Sequence, residues 1–295
     1  MPTSTQPDLL PAGEARDVPR AGYVLLVAAL AVVASTYGLF GEDPYRTVSD
    51  MTVATWRAQD AVTLLTVPLL LLAHRRARAG SLPAHIAMVG LFAWIAYCYA
   101  HQAFGVPFTP MFPVYVALLG LAGWATLDGL LRVDVIAVAP SFAHAPTRGA
   151  FWFLTLASLG VAALWLSEIV PALPGGLPTN VSLSELPNPT WVIDLAWIIP
   201  WGLGSALMLR RRHPAGPVVA GVLLVMLLTL SVAMLAVTPV AWAAGLGADP
   251  VVTRQLVTFT VVFAVLGAAE ASLLLRASHV LLPVPPQWRR AGWWT

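Results

Sequence analysis

The sequence predicts an all-α fold: a polytopic membrane helix bundle of about eight transmembrane helices, with both termini cytoplasmic. Three observations predict it. Hydrophobic residues make up 58% of the 295 and charged residues only 10%, at a mean hydropathy of +0.78, whereas soluble domains carry about 25% charged residues. The apolar residues fall into eight runs, each near the roughly 20 residues that cross about 30 Å of hydrocarbon. The arginines, finally, concentrate on every second connection.

The elements follow in order. Residues 1–20 read as a disordered cytoplasmic tail, rich in Pro, Asp, Glu and Arg and poor in large apolar side chains. The transmembrane domain covers 21–276, with helices at 21–40, 53–73, 82–100, 112–131, 150–170, 190–209, 216–238 and 253–275, and residues 277–295 form a second cytoplasmic tail. The long acidic leader and full spanning length of the first helix favour a retained anchor over a signal peptide. The second is the weakest, because Arg57 and Asp60 sit within it. The stretch from Ala61 to Ala73 alone is too short to span, so Asp60 belongs at or within the outer boundary. The seventh can run on to Trp242.

Arg16 and Arg20 precede the first helix. Arg75, Arg76 and Arg78 lie between the second and third, Arg132 and Arg148 between the fourth and fifth, Arg210, Arg211 and Arg212 between the sixth and seventh, and Arg276, Arg289 and Arg290 at the end. Only Arg46, Arg57 and Arg254 fall on the other side. Basic residues on short loops stay cytoplasmic during insertion, which puts both termini inside. Eight spans return the chain to its starting side, so the alternation and the helix count agree.

Lysine is absent, and the pI near 9.0 reflects the arginine asymmetry rather than a nucleic-acid footprint. The single cysteine, Cys98, excludes an intrachain disulfide. No connection is long enough for a soluble domain, so the partner is the lipid bilayer, with a small solute or cation as the ligand class. Oligomeric state is open.

The second and sixth helices read alike. Each carries an acid (Asp60, Asp194), a later proline (Pro68, Pro200) and a terminal arginine cluster. The ends of the fourth and eighth also correspond, Asp128 through Arg132 against Glu270 through Arg276. This suggests a four-plus-four parallel repeat about an axis along the membrane normal, as occurs in transporters. Helices that end in an arginine stop also look alike without any duplication.

Ionisable residues inside membrane helices mark function by default. At 1.5 Å per residue, Asp60, His101, Glu168 and Asp194 stand about 21–26 Å from the inner boundary, in one layer beneath the outer surface. Asp128 and Glu270 form an inner layer, about 6–9 Å from Arg132 and Arg276. Aromatic side chains flank the outer layer: Trp56 four residues before Asp60, Trp165 three before Glu168, and Trp191 and Trp197 three either side of Asp194. On the third helix Trp94, Tyr97, His101 and Phe104 share one face. The candidate site is therefore Asp60, Tyr97, His101, Glu168 and Asp194, able to hold a cation or pass a proton. The alternative is an aromatic belt with interfacial acids that meet water. Glu168, beside Pro171 and a loop, fits the belt; Asp194, more than a turn inside its helix, fits a buried role; Asp60 fits either. His101 reads as an interfacial hydrogen-bonding group rather than a metal ligand. Asp128 can pair with Arg132 four residues on. Glu270 has no such neighbour and needs a partner from another helix or a proton.

No His-Glu-x-x-His, Gly-x-Ser-x-Gly or P-loop motif is present, and the histidines form no facing pair at one depth. No catalytic set, metal site or cofactor is expected. Prolines at 68, 113, 171, 187, 189, 200 and 239 recur at the outer ends of helices and within them. The internal ones free backbone carbonyls, as at binding sites in transporters.

The stretch Tyr97-Cys98-Tyr99-Ala100-His101-Gln102-Ala103-Phe104-Gly105, followed by Phe112-Pro113-Val114-Tyr115-Val116-Ala117-Leu118, resembles a family of uncharacterised bacterial multi-pass integral membrane proteins. The segments from Asp60 through Pro68 to Ala73 and from Val192 to Ala196 are similar to it as well, so the resemblance covers about residues 55–210. Where that family commonly has Tyr-Asn-Tyr, this chain has Cys98, so no role for the polar residue carries over. The resemblance implies a bacterial cytoplasmic membrane location and supports the outer-layer residues; it implies no activity.

Three functions compete. A small-solute, ion or proton-coupled transporter needs a polar path from the outer layer to the inner one. A membrane enzyme with an outward-facing site needs its four groups within about 4–6 Å of one another. A structural or accessory subunit needs neither, only acids paired locally.

Overall fold

The computed structural model describes residues 19–42, 44–45, 48–143, 145, 147–178 and 188–279. Of the two tails, residues 1–18 and 280–295 lie outside the described residues, as do Arg46, His144 and Pro187, whereas 277–279, expected in the second tail, belong to the last helix. What is described is all-helical, with no β-strand.

Eight long helices carry the fold: α1 Ala21–Phe40, α2 Asp50–Arg78, α3 Leu82–Gly105, α4 Phe112–Leu131, α5 Thr147–Ile169, α6 Pro189–Arg210, α7 Gly216–Ala243 and α8 Pro250–His279. All of them except α2 are long and apolar enough to cross a membrane. The exception is the helix that Arg57, Asp60 and the arginine-rich end make polar, and its 29 residues outlast the expected 53–73 at both ends. Local chemistry sets the starts. The side chains of Ser49, Ser81 and Asn188 accept from the backbone N–H groups of Thr52, Ala84 and Thr190, satisfying donors that a helix start leaves free.

Burial separates inner from outer helices. In α3, 83% of the spanning window is buried, against 11% in α5 and in α8. Thus α3 is the central post, while α5 and α8 present Trp152, Leu156, Leu159, Val257, Val261 and Val265 outward. An exposed apolar exterior on this scale fits lipid rather than water.

The helix neighbours repeat. In the first half α1 packs on α2, α2 on α3, α3 on α4 and α4 back on α1. In the second, α5 packs on α6, α6 on α7, α7 on α8 and α8 back on α5. Between halves, α3 meets α7, α2 meets α7, and α3 meets the start of α6. Advancing every label by four maps this set onto itself, which is the adjacency a four-plus-four repeat requires. The helix ends agree. At the end of α2, Gly80 is left-handed (φ 98°), Ser81 N–H donates to the Arg76 carbonyl and Gly80 N–H to that of Ala77. At the end of α6, Arg212 takes the same role (φ 52°), with His213 N–H on Met208 and Arg212 N–H on Leu209. Both are the six-to-one and five-to-two bonds of one capping motif.

One break in regularity sits beside a candidate residue. Residues Asp194–Ile198 of α6 form a π turn, in which Ile199 N–H reaches back five residues to the Asp194 carbonyl. Pro200 follows at once and has no N–H to offer the turn before it. Such turns inside α-helices frequently coincide with functional positions.

Candidate functional site

Asp194 is 6% exposed and sits at the head of the π turn. Its two oxygens are met from two other helices: Tyr97 Oη of α3 donates to Oδ1 at 3.0 Å, and Trp165 Nε1 of α5 donates to Oδ2 at 2.9 Å. The expected company of Tyr97 and an acid is therefore direct contact.

Asp60 is fully buried. The Tyr45 hydroxyl, from the α1–α2 connection, donates to its Oδ2, and Gln102 Nε2 of α3 donates to Oδ1 at 3.3 Å. The Ser35 hydroxyl of α1 supports the same carboxylate and lies 2.9 Å from Tyr99 Oη. Burial first, and the Asp60 charge second, raise the Tyr45 phenol well above its ordinary range, so it remains a neutral donor. Below this cluster a thin polar chain continues: Cys98 Sγ lies 3.6 Å from Gln59 Oε1, and Trp94 Nε1 donates to Thr63 Oγ1 at 3.2 Å.

Tyr97 and Gln102 are five residues apart on one helix. They differ by about 7–8 Å in height and about 140° in direction. The two acids thus occupy separate clusters on different faces of α3. Nor are they strict repeat equivalents. Asp60 stands twenty residues before Gly80 and Asp194 eighteen before Arg212, the corresponding caps, and the π turn, which inserts one extra residue into α6, widens that mismatch.

His101 is buried, but its Nδ1 bonds the Tyr97 carbonyl of its own helix at 2.8 Å and its ring packs on Tyr97 with centroids 4.4 Å apart. It braces the tyrosine. Phe104, expected on the same face, is 68% exposed. Glu168 is half-buried on α5, and among the described residues no hydrogen bond ties it to either aspartate.

In the inner layer Asp128 pairs with Arg132 four residues on, at 2.6 Å. Glu270 of α8 is 3% exposed and receives Ser231 Oγ of α7 at 2.8 Å, the cross-helix partner its spacing demanded. Among the described residues, hollows of about 550, 280 and 50 Å³ lie between helices. The middle one is bounded by Tyr97, Thr126, Ile193 and Trp201, and none of the three is lined by an aspartate or glutamate.

Sequence reasoning missed Ser35, Gly38, Tyr45 and Gln102 as parts of the Asp60 cluster and Ser231 as the partner of Glu270. Gln102 carried a signal, being an amide one residue beyond His101 inside an apolar helix. Tyr45 carried none, because nothing in a connecting segment says which way it folds.

Fold and site together define a multi-pass α-helical membrane bundle with two buried carboxylates, Asp60 and Asp194. Comparison with family models, with curated proteins and with solved structures finds no match for this chain.

Proposed function

We propose that this protein is a small-solute or ion transporter of the proton- or cation-coupled kind, with both termini cytoplasmic, in which Asp60 and Asp194 are the exchanging groups. One observation carries the reading. Among the described residues, each carboxylate is contacted by neutral donors alone: Tyr45, Gln102 and Ser35 at Asp60, Tyr97 and Trp165 at Asp194. Arg57, three residues before Asp60 on α2, acts on it through space and makes no ion pair with it. A charge at membrane depth costs about 2.5–3.5 kcal/mol even on lenient scales, and a group without a paired counter-charge is free to exchange a proton or cation. The π turn beneath Asp194 supports the same reading, since it gives α6 a point at which to bend.

The alternative of helix glue has its own support. Asp194 ties α6 to α3 and α5, Asp60 ties α2 to α3 and the α1–α2 connection, and the cavities between helices are apolar. A membrane enzyme draws less, because the two acids lie on different faces of α3.

Reconstitution into proteoliposomes under an imposed pH or sodium gradient separates these. A transporter shows flux above empty vesicles that Asp60→Asn and Asp194→Asn abolish while the proteins still fold. If no flux exceeds the empty-vesicle rate, or both variants match wild type, the transport reading fails.

A further inference from the structure

The arginines at the inner end of the second half stand without acid partners among the described residues. In the first half Arg132 is buried and paired with Asp128, four residues before it. Arg276, its counterpart near the end of α8, has no acid at that spacing: Glu270 is six residues away, buried and bonded to Ser231. Arg148 at the start of α5 and Arg210 at the end of α6 are exposed, as is Arg276, and none of the three makes an ion pair among the described residues.

The helices that carry them border one narrow cleft, the smallest of the hollows. Its apolar walls include Ala150 of α5, Leu209 of α6, Pro217 and Leu224 of α7, and Leu273 and Leu274 of α8. Each arginine is a close sequence neighbour of a wall residue: Arg148 stands two before Ala150, Arg210 one after Leu209 and Arg276 two after Leu274. Helices α5 and α8 meet at this level, where a Cβ added to Gly149 would lie 3.1 Å from Leu273 Cδ2. Leu224 is eight residues beyond Gly216, so the cleft descends about 12 Å from the helix ends.

Guanidinium groups without acid partners around a narrow apolar cleft suit an amphiphile with an anionic head and a hydrocarbon chain. Guanidinium holds phosphate through paired N–H···O bonds, and basic pockets between membrane helices take acidic lipid head groups. A zwitterionic head carries its own cation, which opposes the attraction to arginine. A soluble anion has no chain to place against the apolar walls.

We propose that the mouth of this cleft docks a phospholipid of net negative charge, its phosphate held by Arg148, Arg210 and Arg276 and the upper part of one chain laid against Leu209, Leu224 and Leu273. The site lies at the opposite end of α6 from Asp194. It goes beyond the transport reading and does not depend on it.

The test is thermal unfolding of the purified full-length protein in an uncharged detergent, titrated with phosphatidylglycerol, with phosphatidylcholine of the same chains, and with inorganic phosphate. A lipid that binds only the folded state stabilises in proportion to RT ln(1 + [L]/Kd). Phosphatidylglycerol is expected to raise the melting temperature saturably, phosphatidylcholine to need about tenfold more for the same shift, and inorganic phosphate to have no effect. The double variant Arg148→Gln/Arg276→Gln should raise the half-saturating phosphatidylglycerol concentration about 25-fold, or about fivefold for each arginine lost. Arg75→Gln/Arg76→Gln removes two exposed arginines that follow no wall of the cleft and should leave that concentration unchanged. The assignment is overturned if the two lipids stabilise at equal concentrations, if inorganic phosphate reproduces the shift, or if both double variants lose the response equally, which would reduce it to net charge. Should Arg148→Gln/Arg276→Gln not fold, Arg210→Gln takes its place with an expected loss of about fivefold, and an unchanged half-saturation there also overturns it.

Discussion

Gly38 of α1 faces the Asp60 carboxylate of α2 with no side chain between them, and only that gap lets the acid and the Tyr45 hydroxyl meet. Gly38→Ala should therefore disturb the whole Asp60 cluster. Overpacking of this kind costs about 1–3 kcal/mol. Gly123→Ala on α4, where an added Cβ meets nothing within 4 Å, should cost nothing. Melting temperatures of the two variants side by side check the contrast.

Tyr97 and Trp165 share one acceptor, Asp194. Tyr97→Phe removes a donor and leaves Oδ1 unpaired, at a cost of about 1–3 kcal/mol. Trp165→Phe does the same to Oδ2. Because both act on one carboxylate, the double variant should depart from additivity by about 0.5 kcal/mol or more. Denaturation of the three variants measures it, and strict additivity would show that the bonds are independent.

Glu270 depends on Ser231 for its hydrogen bond. Ser231→Ala should destabilise the α7–α8 contact by about 1–3 kcal/mol. Glu270→Gln keeps an oxygen that can accept from Ser231 and should be close to neutral. Unfolding that ranks these two the other way would refute the pairing.

Tyr45 predicts a pH dependence. Its phenol lies well above the ordinary value in the folded protein, through burial and then Asp60. A group whose pKa is raised by folding contributes stability that is complete below the unfolded value, about 10 for tyrosine, and is lost as pH climbs from there through the folded value. Stability should fall with alkaline pH from about 10 upward. The slope in that range should be shallower in Tyr45→Phe, as melting curves across the alkaline range would show.

Topology is open to labelling because the native Cys98 is buried. Single cysteines at Arg211, after α6, and Gly175, after α5, occupy exposed positions on opposite ends of α6. An impermeant thiol reagent applied outside intact cells should modify Gly175→Cys and spare Arg211→Cys. The reverse pattern would invert the arginine reading.

The sequence by itself determined what depends on composition and period. Eight apolar runs became eight long helices, and the predicted starts at Ala21, Leu82, Phe112 and Gly216 are observed, because hydrocarbon length and capping residues are local properties of the chain. The ends of α2, α3, α7 and α8 run several residues beyond the apolar runs, since hydrogen-bonded backbone continues past the point where hydropathy fades. The polar character of α2, the Asp128–Arg132 pair four residues apart, and the need of Glu270 for a partner on another helix were equally legible.

Only the tertiary structure decided how the outer residues are shared. Shared depth along separate helices says nothing of rotation, and rotation about α3 sends Tyr97 to Asp194 and Gln102 to Asp60 on different faces. It also turned His101 onto its own helix, gave Tyr45 and Ser35 to Asp60, and set Gly38 against the carboxylate. Apart from the His101–Tyr97 bond, four positions apart, those contacts join residues from 15 to 97 positions apart. Such pairings are set by which helices pack together, and no local pattern in an apolar sequence records that choice.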